Sequence, residues 1–329
     1  MSNELPHPRN IYDLEGGAAA EDAFAGALAR GRLHHAWLIS GPLGVGKATF
    51  AYRVARRLLG AAPADGRGRL GASPDDPVCR LIAGRAHPDL MVLQRDPEDG
   101  KSRKQIPVEE ARELTEFFSK TPALAAWRVA IVDTADDLNA SGANALLKTL
   151  EEPPPRGVLL LLSHRPWALL PTIRSRCRIL RLQPPPPEAV AERLAARTGL
   201  APGEALALAE MARGAPGRAL WMAGQDALAV DAAAGRLLDD TDAAVELACA
   251  DSFRGAQGAE RFALFMDRLA ERIRQRARAR SLRGETAGLE RCAEAWSEVS
   301  GLAVQTEALN LDRADAFHSV LRRVRAAAC

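Results

Sequence analysis

Residues 41–49 carry the clearest chemical motif of the chain. They read GPLGVGKAT, in which Gly41, Gly44 and Gly46 are spaced for a tight loop and Lys47 is placed to reach a phosphate group. Backbone N–H groups of such a loop, followed by a helix N-terminus, form a positively charged concavity, and the lysine adds a point charge. The pattern predicts a phosphate-binding loop, or a loop descended from one; a glycine-rich turn that binds nothing is the alternative.

The same loop lacks an oxygen that magnesium would need. The consensus G-x-x-x-x-G-K-[ST] places a hydroxyl directly after the lysine, but this chain has Ala48 there. Hard cations require oxygen ligands, which alanine does not provide, and Thr49 is expected to point elsewhere on the helix. The loop therefore predicts that ATP or ADP, if bound, is bound without hydrolysis.

An acidic strand end supports the same interpretation. Asp133 ends the apolar run VAIVD, the usual place for a carboxylate that organises magnesium, although a solvated acid at a strand end is the alternative. In active ATPases with this strand the next residue is commonly a glutamate that polarises water, whereas Thr134 has no base strength near neutral pH. Asp136 and Asp137 could substitute only in an unusual loop, so intrinsic hydrolysis is not expected.

The elements that must position these residues alternate in the manner of an α/β sheet. Continuous apolar strands are typical of a parallel sheet covered on both faces, whose ligands bind beyond the strand C-termini. Strands are predicted at 36–40, 90–94, 129–133 and 158–162, and helices at 48–59, 108–119 and 141–151. The glycine-rich loop follows the first strand directly, where this rule places a ligand.

The second half of the chain has a different pattern. The four prolines at 184–187 end the α/β region, because they forbid both a helix and a ladder of hydrogen bonds. From residue 188 onward the pattern is amphipathic helix, interrupted at 214–217 by a Gly-Ala-Pro-Gly break. Residues 61–78 are small, polar and rich in Pro and Gly, which predicts a mobile surface loop.

Composition sets looser bounds. A length of 329 residues favours two or three domains, and 47% hydrophobic with 26% charged residues is ordinary for a globular protein. The formal net charge of +2 is too small to indicate nucleic-acid binding by itself. Five scattered cysteines (79, 177, 249, 292 and 329) argue against a disulfide framework. No signal pattern and no membrane-length apolar stretch is seen, so we expect a cytoplasmic protein without a membrane partner.

Two segments carry a family resemblance. NALLKTLEEPP at 144–154 and TIRSRC at 172–177 resemble bacterial DNA polymerase III clamp-loader subunits, which are AAA+ proteins. GRLHHAWL at 31–38, AGRAHPDL at 83–90 and Asp-Thr-Ala-Asp at 133–136 resemble the delta-prime subunit family, whose members do not hydrolyse ATP. The resemblance is strong over the first half of the chain and moderate over GAPGRAL at 214–220.

This resemblance implies three domains. The expected fold class is an α/β AAA+ domain, with a Rossmann-like parallel sheet and a P-loop, over residues 1–183. A small helical lid domain is expected over 184–228, followed by an all-α collar domain for oligomerisation over 229–329. The implied partners are the gamma/tau and delta subunits of the clamp loader, with the sliding clamp and primer-template DNA contacted through the complex.

The resemblance also implies an arginine that acts outside its own subunit. In clamp loaders, the arginine of the Ser175-Arg176-Cys177 motif reaches towards ATP held by the neighbouring subunit, and a planar, permanently charged guanidinium suits that task. An arginine that makes a structural salt bridge is the alternative. Arg174 and Arg178 flank Arg176, so the sequence leaves open which guanidinium points outward.

Further positions follow from the resemblance. Arg218 occupies the place of a nucleotide-sensing arginine, with a structural role as the alternative, and Ser163 and His164 fall at the family's first sensor. The residues expected to form the degenerate nucleotide site are Gly41, Gly44, Gly46, Lys47, Thr49, Asp133 and Arg218. The competing hypothesis is an ATP-hydrolysing gamma/tau-like motor subunit.

Two features argue against additional ligands. Related subunits often carry a four-cysteine zinc module before the HPDL strand, but only Cys79 and the nearby His87 are present here, so we predict no zinc. The arginines at 272, 274, 276, 278 and 280 alternate along a predicted helix, and a spacing of two does not form one stripe. We interpret them as part of a solvated helix with acidic neighbours in the assembly, with direct DNA contact as the alternative.

Overall fold

The structure is a computed structural model that describes residues 6–95, 103, 105–239, 242–255 and 257–327. The chain divides into two compact units, Met1–Trp221 and Met222–Cys329. The predicted division into three domains at residues 183 and 228 stays a prediction. Cys329, one of the five cysteines, lies outside the described residues.

The first unit is built on a parallel five-stranded sheet. Its strands are β1 (Ala36–Ser40), β2 (Leu90–Gln94), β3 (Arg128–Asp133), β4 (Gly157–Ser163) and β5 (Arg178–Arg181), in the order β2-β3-β4-β1-β5. β1 and β4 are buried at every residue, because helices cover both faces of the sheet. This burial explains why their sequences are continuous apolar runs.

Nine helices of the first unit surround or follow this sheet in the described residues. They are α1 (Ala18–Ala29), α2 (Lys47–Leu58), α3 (Pro77–Ala83), α4 (Val108–Ser119), α5 (Ala140–Glu151), α6 (Pro171–Arg174), α7 (Pro187–Thr198), α8 (Pro202–Met211) and α9 (Pro216–Gly224), the last of which crosses the boundary between the units. Along β1, Trp37 and Ile39 pack in one apolar core with Phe24 of α1 and Phe50 of α2. Leu38 packs in the opposite core, with side chains of α4 and α5.

The predicted α/β sheet is confirmed, and several predicted elements match closely. The strands at 36–40 and 90–94 and the helix at 108–119 have the predicted bounds. The sequence patterns missed α1 and β5. The proline run did not exclude a helix entirely, because Pro187 is the first residue of α7, where a missing N–H is tolerated.

The predicted mobile loop at 61–78 differs from the structure. Leu70 and Ala72 are buried, and α3 already begins at Pro77. The Arg53 side chain, paired with Glu21 at 2.6 Å, also donates to the main-chain carbonyl of Arg67. Long-range contacts from a buried arginine therefore hold a segment whose composition predicted a free surface loop.

The second unit is helical throughout its described residues. Its helices are α10 (Ala227–Asp239), α11 (Ala243–Ser252), α12 (Gly258–Leu282), α13 (Leu289–Ala308) and α14 (Arg313–Ala326). An aromatic cluster joins α12 and α14 to the residue that follows α11. Its ring centroids are between 5.2 and 5.7 Å apart, and it consists of Phe253, Phe262, Phe265 and Phe317. In the described part of the chain, no helix is long and apolar enough to cross a membrane.

The alternating arginines of α12 divide between two faces. Arg272 and Arg276 pair with Asp231 and Asp239 of α10, and Arg280 lies 3.7 Å from Glu285. These three arginines are one helical turn apart, so they share a face that already has acidic partners within the unit. Acidic partners for this face therefore come from the chain itself, whereas acidic neighbours in the assembly stay a prediction.

Candidate functional site

The glycine-rich loop lies between β1 and α2, as the motif predicts. Gly46 has φ +101° and is the N-cap of α2, and Gly44 has φ +79°. Both conformations lie in the left-handed region, which L-residues other than glycine rarely adopt. The loop therefore has the backbone geometry of a phosphate-binding turn directly before a helix N-terminus.

The protein's own packing also constrains these glycines, most strongly Gly41 and Gly44, which face backbone atoms. A Cβ atom at Gly41 would lie 2.8 Å from the carbonyl oxygen of Leu182, and one at Gly46 would lie 2.7 Å from Leu14. At Gly44 a Cβ atom would collide with the backbone of Arg218. The glycines have a structural explanation that does not involve a ligand.

The start of α9 packs directly on the loop. The Gly217 amide donates a hydrogen bond of 2.9 Å to the Gly44 carbonyl, so the two backbones are in contact. Arg218 is half-buried at this junction, and its own backbone approaches Gly44. The structure thus brings the predicted sensing arginine to the loop, and main-chain packing accounts for the contact.

Lys47 is turned towards the loop that precedes it. Its Nζ donates to the carbonyls of Gly41 and Pro42 at 2.8 and 2.9 Å. The residue is only 6% exposed, and this burial lowers the pKa of the ammonium group to about 8. The negative charges of Asp133 and Asp136 act in the opposite direction and raise the pKa. Part of the donor capacity that would serve a phosphate is satisfied by the loop itself.

Asp133 lies at the end of β3, close enough to Lys47 for their charges to interact. Burial raises the pKa of its carboxyl group to about 6, while Lys47 favours the charged form and Asp137 opposes it. The Thr134 hydroxyl donates to Asp137 at 3.2 Å. The structure therefore joins Asp133 to the loop, beside a threonine that hydrogen-bonds a neighbouring carboxylate.

Asp136 has a role that the sequence did not reveal. Its carboxylate accepts hydrogen bonds from the Ser163 hydroxyl at 2.9 Å and from the His164 amide at 2.8 Å, and its side chain is 1% exposed. The imidazole Nδ1 of His164 is 3.3 Å away, and burial lowers the pKa of that ring. Asp136 thus fixes the predicted sensor positions after β4 and is not available as a general base.

A cavity of about 160 Å³ adjoins the loop. Its walls include Gly44, Gly46 and Thr49, together with residues of α7 and α9. Residues that precede α1 also line the cavity, and among them Glu15 lies 3.4 Å from Arg193 of α7. Thr49, which the sequence led us to expect pointing elsewhere, lines this cavity.

Arg176 lies on a different part of the same unit. Its guanidinium is 2.9 Å from Glu151 at the end of α5 and donates to the Thr172 carbonyl at 3.1 Å. The side chain is 37% exposed, and that of Glu151 is 51% exposed. Of the flanking arginines, Arg178 lies over the Trp37 ring, 5.0 Å from its centroid. Arg176 therefore reaches the surface with an exposed partner.

Related subunits often carry a zinc module in the region before the HPDL segment, where this chain has Cys79. The Cys79 thiol is buried among Ala61 and Ala72, and burial raises its pKa to about 11. No group of three His, Cys, Asp or Glu residues suited to a metal ion occurs in the described ranges of the chain. The absence of zinc stays a prediction.

The HPDL segment instead contains a structural carboxylate. Asp89, fully buried, accepts from the amides of Ala123, Leu124 and Ala125 at 2.7–2.9 Å, and Arg128 lies 3.6 Å away. These hydrogen bonds hold the pKa of the carboxyl group below its usual range, against the effect of burial. Sequence reasoning treated this segment only as a family marker.

A parallel sheet with a glycine-rich loop between its first strand and the next helix defines a P-loop, nucleotide-fold class of protein. A family model described as "DNA polymerase III, delta subunit" matches residues 17–186, slightly more than half of the chain. The chain therefore belongs to this family, and the predicted resemblance to clamp-loader delta-prime subunits is confirmed.

Individual relatives agree with this assignment. The delta-prime subunit of Pseudomonas aeruginosa is 43% identical over 143 residues, which cover 44% of this chain and 41% of the relative. The delta-prime subunit of Escherichia coli is 37% identical over 190 residues, covering 58% and 54%. The tau subunit of Escherichia coli is 34% identical over 175 residues, covering 52% and 25%. The matched region thus spans about half the length, or less, of these curated relatives.

Proposed function

We propose that this chain is a non-hydrolysing delta-prime subunit of a bacterial DNA polymerase III clamp loader. It acts beside gamma/tau and delta subunits and helps the complex to place the sliding clamp on primed DNA. Its own nucleotide fold serves as a scaffold, and its chemical contribution is Arg176, offered in trans to ATP held by a neighbouring subunit. Contacts with the clamp and with primer-template DNA are made through the complex.

The closed state of the glycine-rich loop carries the first part of the proposal. Gly44 is hydrogen-bonded to Gly217, Lys47 donates to two loop carbonyls, and the adjoining cavity is about 160 Å³. Ligand pockets usually measure about 300–1,000 Å³. Ala48 supplies no oxygen for magnesium, so the residues present do not fit a hydrolysed magnesium–nucleotide complex.

The exposure of Arg176 supports the second part. Salt bridges between exposed side chains contribute only about 0–1 kcal/mol, so the contact with Glu151 can be exchanged for a partner outside the chain at small cost. A planar guanidinium with several donors can stabilise the charge that builds on a transferring phosphoryl group. In Arg178 the guanidinium is already stacked on Trp37.

A gamma/tau-like ATPase is the second candidate. The similarity to the tau subunit of Escherichia coli, at 34% identity over 175 residues, favours it, as does the retained Lys47. A motor subunit would need a magnesium ligand and a base to orient water. Asp136 is fully engaged with Ser163 and His164, and Thr134 is no base.

The decisive experiment reconstitutes the clamp loader with Arg176→Ala and measures ATPase activity stimulated by clamp and primed DNA. We expect a loss of about tenfold or more, because an arginine supplied to a neighbour's phosphoryl transfer commonly contributes more than this. Arg176→Lys should restore little, since ammonium lacks the planar fork. Arg178→Ala serves as the matched control and should leave the rate close to wild type. Unchanged activity in Arg176→Ala contradicts the trans-acting role.

A second experiment distinguishes a non-hydrolysing scaffold subunit from an ATP-hydrolysing motor subunit. Steady-state ATPase activity of the isolated chain should equal background, and the double variant Ala48→Thr/Thr134→Glu should gain no turnover, because the loop is closed by main-chain contacts. Turnover in the unmodified chain that Lys47→Ala abolishes would favour the motor subunit. Turnover gained only in the double variant would show that missing side chains, not closure, silence the site.

A further inference from the structure

A second cavity lies at the β2 edge of the sheet, and the glycine-rich loop contributes nothing to it. Its volume is about 250 Å³. One wall is the face of β2 that carries Leu90, Val92 and Gln94, because alternate residues of a strand share a face. We call it the edge pocket. Its polar lining residues are Arg9, Tyr52, Arg85, His87, Gln94 and Glu110.

Two polar side chains of the edge pocket are deeply buried. Tyr52 of α2 is 4% exposed and His87 is 5% exposed. Tyr52 lines the cavity, and burial raises the pKa of its hydroxyl to about 12, so the group stays protonated and can donate at neutral pH. Buried hydroxyl groups are normally hydrogen-bonded, and a ligand or solvent atom in the cavity can serve as the acceptor here.

His87 presents a donor. Its Nδ1 accepts the Asp89 amide at 3.2 Å, which fixes the proton of the neutral ring on Nε2. Burial lowers the pKa of this imidazole, so the ring is neutral near pH 7. The edge pocket is therefore lined by a buried N–H donor and a buried hydroxyl.

The charge of the lining is positive. Arg9 and Arg85 contribute guanidinium groups, which can only donate, and Glu110 is the one acid among the lining residues. Glu110 is itself paired with Arg103. The two arginines also act together on His7, whose ring lies 5.9 Å from that of Tyr52. Burial first, then Arg9 and Arg85, lower the pKa of His7 to about 4.

The position of Arg85 is fixed by the backbone. Its amide bonds to the Ile82 carbonyl at 3.1 Å, and the next amide, of Ala86, bonds to the Leu81 carbonyl at 2.8 Å. These bonds close the end of α3 and hold the turn that leads to His87. Such a preformed arrangement reduces the ordering cost of binding.

We propose that the edge pocket binds a small oxyanion of the phosphate class, either free phosphate or the phosphoryl group of a mononucleotide. Guanidinium groups, a hydroxyl and an imidazole N–H all donate to phosphate oxygens, and cations are disfavoured by Arg9 and Arg85. A volume of about 250 Å³ suits an ion better than a large organic ligand. This site is separate from the loop at 41–49 and does not depend on the function proposed above.

The test is calorimetric titration of the full chain, carried out in a Lys47→Ala background so that the glycine-rich loop does not contribute. Inorganic phosphate and AMP are titrated separately, in the millimolar range and at low chloride. Arg85→Gln should weaken binding about tenfold or more, since hydrogen bonds to charged groups are the stronger ones, and Tyr52→Phe should weaken it several-fold. Arg80→Gln, an exposed arginine on α3 outside the lining, is the matched control and should bind as the parent does.

The outcomes are distinct. Binding of phosphate and AMP alike identifies the oxyanion as sufficient, and binding of AMP alone identifies a nucleotide phosphoryl group. The absence of binding by either probe overturns the proposal. Equal binding in the parent, Arg85→Gln and Tyr52→Phe variants also overturns it. Thermal unfolding of each variant checks that the fold is retained, and the conservative Tyr52→Phe change keeps the test valid if Arg85→Gln is unstable.

Discussion

The glycine-rich loop and the turn that carries Arg176 lie in the same unit but are built in opposite ways. Around the loop, Gly44 is bonded to Gly217, and Lys47 is 6% exposed with two carbonyl partners. Arg176 is 37% exposed and is paired with the still more exposed Glu151. The loop has the more recognisable motif, whereas the arginine has the greater freedom to meet another molecule.

Packing gives the glycine motif a reason to persist that does not depend on a reaction. The spacing of Gly41, Gly44 and Gly46 meets steric demands from Leu182, Arg218 and Leu14. A side chain at Gly41 or Gly44 would meet backbone atoms even if no phosphate were ever bound, whereas one at Gly46 would meet the flexible end of Leu14. By contrast, little packing depends on Arg176, which is consistent with the contact outside the chain that we propose for it.

The largest expected difference is in stability at Gly44. Gly44→Ala should lower the free energy of unfolding by about 3–5 kcal/mol, because it adds a clash with Arg218 to the strain of a left-handed alanine. Gly199→Ala is the matched control, with φ +75° against +79° and no heavy atom within 4 Å, and should cost only about 1–2 kcal/mol. Urea denaturation followed by circular dichroism measures both. Equal losses would show that the loop is not packed as described.

The next effect concerns Asp136. Asp136→Ala should lower the free energy of unfolding by about 2–4 kcal/mol, since it leaves the Ser163 hydroxyl and the His164 amide without their acceptor. Asp137→Ala, which removes the 3.2 Å hydrogen bond from Thr134 and a partly exposed ion pair with Arg95 at 4.0 Å, should cost less than half as much. The same denaturation experiment applies. A larger loss of stability in Asp137→Ala than in Asp136→Ala would show that Asp137, and not Asp136, has the structural role.

The pH dependence of Asp133 gives a smaller effect. Because the pKa of Asp133 is raised to about 6, the folded state binds more protons than the unfolded state between roughly pH 4 and 6. The contribution of this group to stability therefore falls as the pH rises through that window. Asp133→Asn should gain about 1–2 kcal/mol relative to wild type between pH 4 and 7. Denaturation of both proteins at several pH values measures the difference, and a constant difference contradicts the burial of this charge.

The smallest effect should be at Arg176. Arg176→Ala should change the free energy of unfolding by less than about 1 kcal/mol, because an exposed ion pair contributes little. Its effect in the reconstituted complex should be much larger than its effect on folding. A loss above about 2 kcal/mol in the isolated chain would instead identify Arg176 as a structural residue and remove the contrast with the loop.

Prediction succeeded where one local pattern fixes the structure. The run AWLIS is buried on both faces and forms β1 within its predicted bounds, and VEEARELTEFFS forms α4. Prediction failed where the local pattern is weak. The alanine-rich stretch Ala18–Ala29 shows no clear apolar stripe, and RILR at 178–181 is short, yet neighbouring elements make them α1 and β5.

The candidate site shows the same division. Gly41, Gly44, Gly46, Lys47 and Asp133 were predicted because motif residues sit at fixed distances along the chain. Asp136 and Asp89 could not be assigned their partners, because each carboxylate binds groups that lie 27 or more residues away. Spacing along the sequence does not report such contacts.

The sequence by itself determined the class of fold and the family. It also determined that position 48, an alanine, has no hydroxyl that could bind magnesium. Each of these depends on residue types at short spacing. Only the tertiary structure decided that Gly217 contacts Gly44, more than 170 residues earlier, and that Lys47 bonds to the loop. It also decided that Arg176 is half-exposed beside Glu151. These properties depend on which distant segments the folded chain brings together and on which side chains remain in contact with solvent.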